Sequence, residues 1–179
     1  MIMNYRIQNL LLFLFLSTLA FSQNKKFTYT QFDVTVALTG NPNRDEVDAY
    51  TNKKQSFFIP DGIGSKFGYG VHYNKWIAIG VHSGLNWEWS SKLVVAPVYA
   101  NVRLSPKISD DTRITLQAGL GKAIALGRGN LIGDYKKISL GIQTDDDLVL
   151  FIEVNHYTIP VNRRGDSGNV SVGLALISF

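Results

Sequence analysis

Large and small, apolar and polar side chains alternate along most of this chain. In residues 67–87, FGYGVHYNKWIAIGVHSGLNW, one parity holds Phe67, Tyr69, Val71 and Tyr73, then Ile77, Ile79, Val81, Leu85 and Trp87. The other parity holds Gly68, Gly70, His72 and Asn74, then Ala78, Gly80, His82, Gly84 and Asn86. Successive side chains leave opposite faces of a strand, so a period of two predicts β structure. Pairing Tyr73 with Ile77 keeps the bulky residues on one face and predicts a hairpin with a three-residue loop, Asn74-Lys75-Trp76. That register sets His82 opposite Gly68 and His72 opposite Ala78.

The same period recurs in eight blocks. The first is 27–38, with Phe32, Val34, Val36 and Leu38 against Gln31, Asp33 and Thr35. A polar stretch and the turn signal Pro60-Asp61-Gly62 follow. The hairpin supplies strands two and three, from about Ile63 and Ile77. Strand four (92–104) sets Val94, Ala96, Val98, Ala100, Val102 and Leu104 against Tyr99, Asn101 and Arg103. Strand five (113–124) sets Ile114, Leu116, Ala118 and Leu120 against Arg113, Thr115 and Gln117. Strand six (about 134–144) sets Ile138, Leu140 and Ile142 against Ser139, Gly141 and Gln143. Strand seven sets Leu148, Leu150, Ile152 and Val154 against Phe151, Glu153, Asn155 and Tyr157, and strand eight covers 169–179. No helical period appears after the first two dozen residues.

Either face could be the inside. A soluble sandwich would bury the bulky face; a membrane barrel would turn it to lipid. Three features favour the barrel. Asp33, Lys66, Arg103, Arg113, Gln117, Glu153 and Asn155 lie near mid-strand on the small-residue face, where the narrow lumen of eight strands accepts small residues beside paired charges. Connections alternate in length, with the short turns at 74–76, about 105–111 and 145–147 on the side of the N-terminus and the long loops opposite. Aromatic residues gather at predicted interfaces, Trp87 and Trp89 at one and Tyr73, Trp76 and Phe179 at the other. The expectation is an all-β, eight-stranded antiparallel up-and-down transmembrane barrel.

Composition narrows the class. The 179 residues include no Cys, which removes disulfides, thiolate nucleophiles, cysteine zinc sites and a cysteine-linked lipid anchor. Charged residues make up 18%. MIMNYRIQNLLLFLFLSTLAFSQ combines Arg6, an apolar run too short for the ~20 residues of a bilayer helix, and the small-x-small site Ala20-Phe21-Ser22. Residues 1–22 are expected to be a cleavable signal peptide and 23–179 the barrel. The formal charge is +4 and falls to +3 once Arg6 leaves with the signal, too little and too scattered for nucleic acid.

With the signal peptide, the PVYANVRL strand, the GLG of strand five and the final GLALISF, the chain resembles the small eight-stranded outer-membrane β-barrels of the outer-membrane protein X or A type. The resemblance covers essentially everything after residue 22. It implies an outer-membrane location, contact with outer-membrane lipid and lipopolysaccharide, and Phe179 as a signal to the barrel-assembly machinery. In that signal the apolar residues share the parity of the last residue, here Phe179, Ile177 and Ala175. In this chain Val170, Val172, Leu174 and Leu176 form the cleaner stripe, so either a bulge shifts the face or the signal is loosely kept.

Candidate chemistry is sparse. His72 and His82 share the lumen face but sit too far apart along it to share a metal. His156 and Thr158 point outward near the extracellular rim, where outer-membrane lipid A deacylase barrels carry a catalytic His-x-Ser; Asp166 or Glu153 would have to orient the imidazole. Arg164-Gly165-Asp166 spells an adhesion tripeptide in an outer loop, although Gly, Asp and Ser are ordinary turn residues. Asp145-Asp146-Asp147 lacks the ligand spacing of a calcium loop. Neither metal nor cofactor is expected. The constellation favoured is the lumen charge network Asp33, Lys66, Arg103, Arg113 and Glu153. Three functions stay open: a non-enzymatic barrel with a structural or surface-interaction role and a ligand at its outer loops, a lipid-modifying enzyme, and a narrow solute channel.

Overall fold

The computed structural model describes residues 27–41, 43–47, 54–127, 131–144, 147–159 and 167–179. The expected signal peptide, the Arg164-Gly165-Asp166 tripeptide, and Asp145 and Asp146 lie outside the described residues. Eight strands follow in order: β1 Thr28–Gly40, β2 Phe58–Tyr73, β3 Ile77–Glu88, β4 Leu93–Leu104, β5 Thr112–Leu126, β6 Ile132–Thr144, β7 Leu148–Tyr157 and β8 Ser167–Ser178. Each pairs antiparallel with its chain neighbours, and β8 returns to β1 to close an up-and-down barrel. Closure leaves no unpaired edge, the condition for crossing hydrocarbon with strands.

The bulky parity faces out. Ile138, Val81 and Ile152 are 62%, 61% and 56% exposed, while Lys66 and Glu153 on the other parity are each 1% exposed. A protein that spread this much aliphatic surface to water would aggregate; facing acyl chains, the same surface is solvated. The barrel is therefore membrane-spanning, with the apolar layer outside and polar groups inside.

Several local details have sequence causes. The β2–β3 hairpin pairs Tyr73 with Ile77, Gly68 with His82 and His72 with Ala78, as the alternation required. Its loop places Asn74 and Lys75 at φ of 50° and 59°, and the Lys75 N–H donates to His72 Nδ1 at 3.2 Å. Pro60-Asp61-Gly62 is not the turn expected. It lies within β2, where Ala37 pairs with Gly62 and Leu38 with Pro60, leaving Asp61 as the extra residue of a bulge. Asp61 then accepts from the Ser90 N–H at 2.9 Å and the Ser90 hydroxyl at 2.6 Å, tying β2 to the β3–β4 turn. The β3–β4 ladder lapses opposite Pro97, which has no N–H to donate.

In β8 the parity question resolves without a bulge. Its registers with β1 and β7 run unbroken, Val170, Val172, Leu174 and Leu176 face lipid, and Ala175 and Ile177 are buried in the lumen. Phe179 consequently does not join a girdle at the lipid interface as expected. Its ring closes the inner mouth, edge-on to His72 at 4.7 Å between centroids and 6.4 Å from Tyr29. Tyr73, Trp76, Trp87 and Trp89 are exposed on the outer surface, near the strand ends.

Candidate functional site

The lumen is filled in three layers. At the inner end Tyr29, Ala78, Val149, Phe151, Ala175 and Ile177 pack together beneath Phe179. At the loop end Leu93, Val95, Tyr99, Ala123, Ala125, Tyr135, Tyr157 and Ile159 form a second apolar cluster. Between them lies a polar layer brought together from β1, β2, β4, β5, β6 and β7.

The polar layer is an ion-pair network. Lys66 Nζ donates to Glu153 Oε1, and Lys137 Nζ lies 3.0 Å from Glu153 Oε2 and 3.6 Å from Asp33 Oδ2. Gln31 Nε2 donates to Asp33 Oδ1 at 2.8 Å and to Gln117 Oε1 at 3.3 Å; Asn101 Nδ2 donates to Gln117 Oε1 at 3.0 Å. Asn155 Nδ2 donates to Glu153 Oε1 at 2.8 Å, and Tyr135 OH donates to Asn155 Oδ1 at 2.6 Å. Two ammonium groups face two carboxylates, so the layer is neutral, which a buried group of charges requires.

Of the five residues expected in this network, the structure brings three together: Asp33, Lys66 and Glu153. Arg103 is fully buried but belongs to the inner mouth, its guanidinium 5.5 Å from the Tyr29 ring centroid and 5.0 Å from that of Phe179. Arg113 is a correction: it is half-buried near the β4–β5 turn, where its NH1 donates to the Ser105 carbonyl at 3.0 Å. Alternation places every second residue inside, but says nothing of depth, and Arg113 opens its strand. Lys137, which holds the two carboxylates together, was missed. It shares parity with Ser139, Gly141 and Gln143, but the adjacent Lys136-Lys137 pair blurs the alternation at the start of strand six.

Above the ions, Tyr99, Tyr135 and Tyr157 follow one another: the first two rings are 4.8 Å apart between centroids and tilted by 54°, and the last two are stacked at 5.5 Å. Asn86 Nδ2 donates to Tyr157 OH at 2.7 Å, and Asn169 Nδ2 to Glu88 Oε1 at 2.8 Å, which finishes the outer mouth. His82 stands between Tyr29, whose hydroxyl lies 3.1 Å from its Nε2, and Tyr99. Among the described residues no group of three or more His, Asp or Glu is arranged to hold a metal.

On the outer face of β7, His156 is half-buried, paired across the sheet with Lys136 and Gly168. The Thr158 hydroxyl oxygen accepts the Asp134 N–H at 2.6 Å. Glu153, one of the two acids considered as an orienting partner, faces the lumen on the opposite side of β7 and is engaged by Lys66 and Lys137; Asp166 lies outside the described residues.

Closed eight-strand topology, an apolar exterior and a plugged polar interior define the class: a small transmembrane β-barrel with the fold of outer-membrane proteins. Two solved structures share that fold. The outer membrane enzyme PagL is 12% identical, with a TM-score of 0.54 over 83% of this chain and 98% of that one. Neisserial surface protein A is 14% identical, with a TM-score of 0.52 over 84% of this chain and 97% of that one. No family model and no curated protein matches the sequence.

Proposed function

We propose that the protein is a non-enzymatic outer-membrane barrel with a structural and surface-interaction role, acting through its lipid-facing wall and outer loops. The observation that carries this reading is the filled lumen. Among the described residues, Lys66, Lys137, Asp33 and Glu153 fill one cross-section of the lumen and Tyr99, Tyr135 and Tyr157 lie above it, which supports a filled interior over the open lumen of wide barrels. The expected assembly signal at Phe179 and the barrel-assembly machinery as partner belong to the same proposal, as does lipopolysaccharide as neighbour.

Three measurements test the reading. Outer-membrane fractionation with heat-modifiable gel migration should show a folded barrel that changes mobility on boiling. Planar bilayers should stay silent for the wild type and for Glu153→Gln; steady single-channel steps altered in the variant would replace the reading with a channel. Release of fatty acid from lipopolysaccharide, abolished in His156→Ala, would replace it with a lipid-modifying enzyme.

A further inference from the structure

Most of the outward stripe is aliphatic, but on one side of the barrel it is interrupted. Register aligns Leu120 with Lys136 and Lys136 with His156 in one row across β5, β6 and β7. In the next row toward the loops, Lys122 pairs with Asp134, and the Thr158 N–H donates to the Asp134 carbonyl at 3.0 Å. The two rows beneath are wholly apolar: Ala118, Ile138 and Val154, then Leu116, Leu140 and Ile152.

Depth gives these charges their meaning. Lys136 stands eight residues beyond Thr144, the inner end of β6. At ~3.4 Å per residue and a strand tilt of roughly 40°, that is about 21 Å above the inner end, near the upper limit of an apolar band about 25 Å tall. Lys122 lies one row higher. Both ammonium groups therefore reach the level of lipid headgroups on the lipid-facing surface. There, long basic side chains extend toward the interface and attract anionic headgroups. Asp134 Oδ1 meets Lys122 Nζ at 2.6 Å, so one carboxylate answers two lysines. Lys136 is exposed and makes no ion pair among the described residues.

We infer that this rim patch is a binding site for the phosphate of an outer-leaflet lipid, with Lys136 as the main contact, Lys122 as the second, and Leu120 and Ile138 as the surface for its acyl chains. The rows directly below the patch are apolar, so a ligand whose acyl chains lie on Leu120 and Ile138 enters from the bilayer. An ammonium group suits a phosphate, which accepts from it without fixed geometry. The inference rests on the membrane placement proposed above.

The test uses the full barrel refolded into phosphatidylcholine vesicles containing lipid A, dephosphorylated lipid A or phosphatidylglycerol, then released into neutral detergent for native mass spectrometry. The wild type should retain lipid A over its dephosphorylated form. The Lys122→Gln/Lys136→Gln double variant should lose roughly tenfold or more of that retention, while Lys54→Gln in the first loop should not change it. Equal retention of phosphatidylglycerol and lipid A supports a site that reads the phosphate alone; preference for lipid A supports one that also reads its sugars. Equal retention in the double variant and wild type overturns the inference, as does complete displacement of lipid by millimolar inorganic phosphate. A barrel that fractionates with the outer membrane and is heat-modifiable, yet shows no phosphate preference, sinks the site and leaves the membrane reading standing.

Discussion

Removing one ammonium group from the lumen should destabilise the barrel far more than removing that ammonium together with one carboxylate. Lys137 is the group to remove, because it lies 3.0 Å from Glu153 and 3.6 Å from Asp33. At an effective dielectric of about 20, those separations give gross attractions of about 5.5 and about 4.6 kcal/mol. Repulsion from Lys66 and the desolvation of a fully buried ammonium offset much of this, so the sum is not the expected effect. The expected effect follows from what is left behind. In Lys137→Met, Asp33 keeps the amide of Gln31 at 2.8 Å and shares Lys66, its cross-strand partner, with Glu153, so two buried carboxylates are left with one ammonium between them. Losing one partner of a buried ion pair costs about 3–5 kcal/mol, and that range is predicted here. In Lys137→Met/Asp33→Asn the layer is neutral again, and most of the loss should return. Urea unfolding of the refolded barrel in lipid vesicles, followed by fluorescence of Trp76, Trp87 and Trp89 and by heat-modifiable migration, measures both. A single variant within about 1 kcal/mol of wild type, or a double variant no more stable than the single, would refute the charge-balance argument.

Leu140→Arg places a charge near the middle of the lipid face and should cost about 2–4 kcal/mol in vesicles; tolerance of this change would contradict the outward apolar face. Gly70→Ala should lower the urea midpoint by an amount equivalent to about 1–3 kcal/mol, because a methyl there meets the Ile79 carbonyl and Gly80 Cα of the neighbouring strand. Phe179→Ala removes a ring 5.0 Å from the Arg103 guanidinium and 4.5 Å from the Lys75 ammonium, and should destabilise the refolded barrel by about 1–3 kcal/mol. An unchanged urea midpoint in that variant would show that the terminal ring does not hold the inner mouth.

Strand number, face assignment and hairpin register were legible because two solvents act on every strand at once. Lipid on one side and a cramped polar lumen on the other enforce alternation along the whole element, so β4 to β7 could be placed with the correct residues outward. What alternation cannot encode is depth and company. Arg103 and Arg113 both carry inward-side charge, yet one stacks between aromatic rings at the inner mouth and the other bonds a turn carbonyl. The apolar lumen residues Leu93, Val95 and Ile159 break the simple rule that the inside is polar, because near the mouth they pack against Tyr99, Tyr135 and Tyr157. Pro60-Asp61-Gly62 carries every sign of a turn, and the bulge that absorbs it depends on register with β1, which lies more than twenty residues earlier.

The order of the three lumen layers bears on where activity can reside. The attraction within the ion-pair layer is strongest when water is kept from it on both sides, and here Phe179 with Tyr29 covers one side while Tyr99, Tyr135 and Tyr157 cover the other. Opening either cap would hydrate Lys66 and Lys137 and weaken the pairs that join β1, β2, β6 and β7, so the interior is poorly suited to gating or to admitting a substrate. The outer wall has no such constraint: Lys136 and Lys122 can exchange partners without disturbing any strand pairing. Selection for ligand contact can therefore act on the loops and on the β5–β7 rim at little cost in stability, whereas a substitution at Lys137 or Glu153 endangers the fold itself.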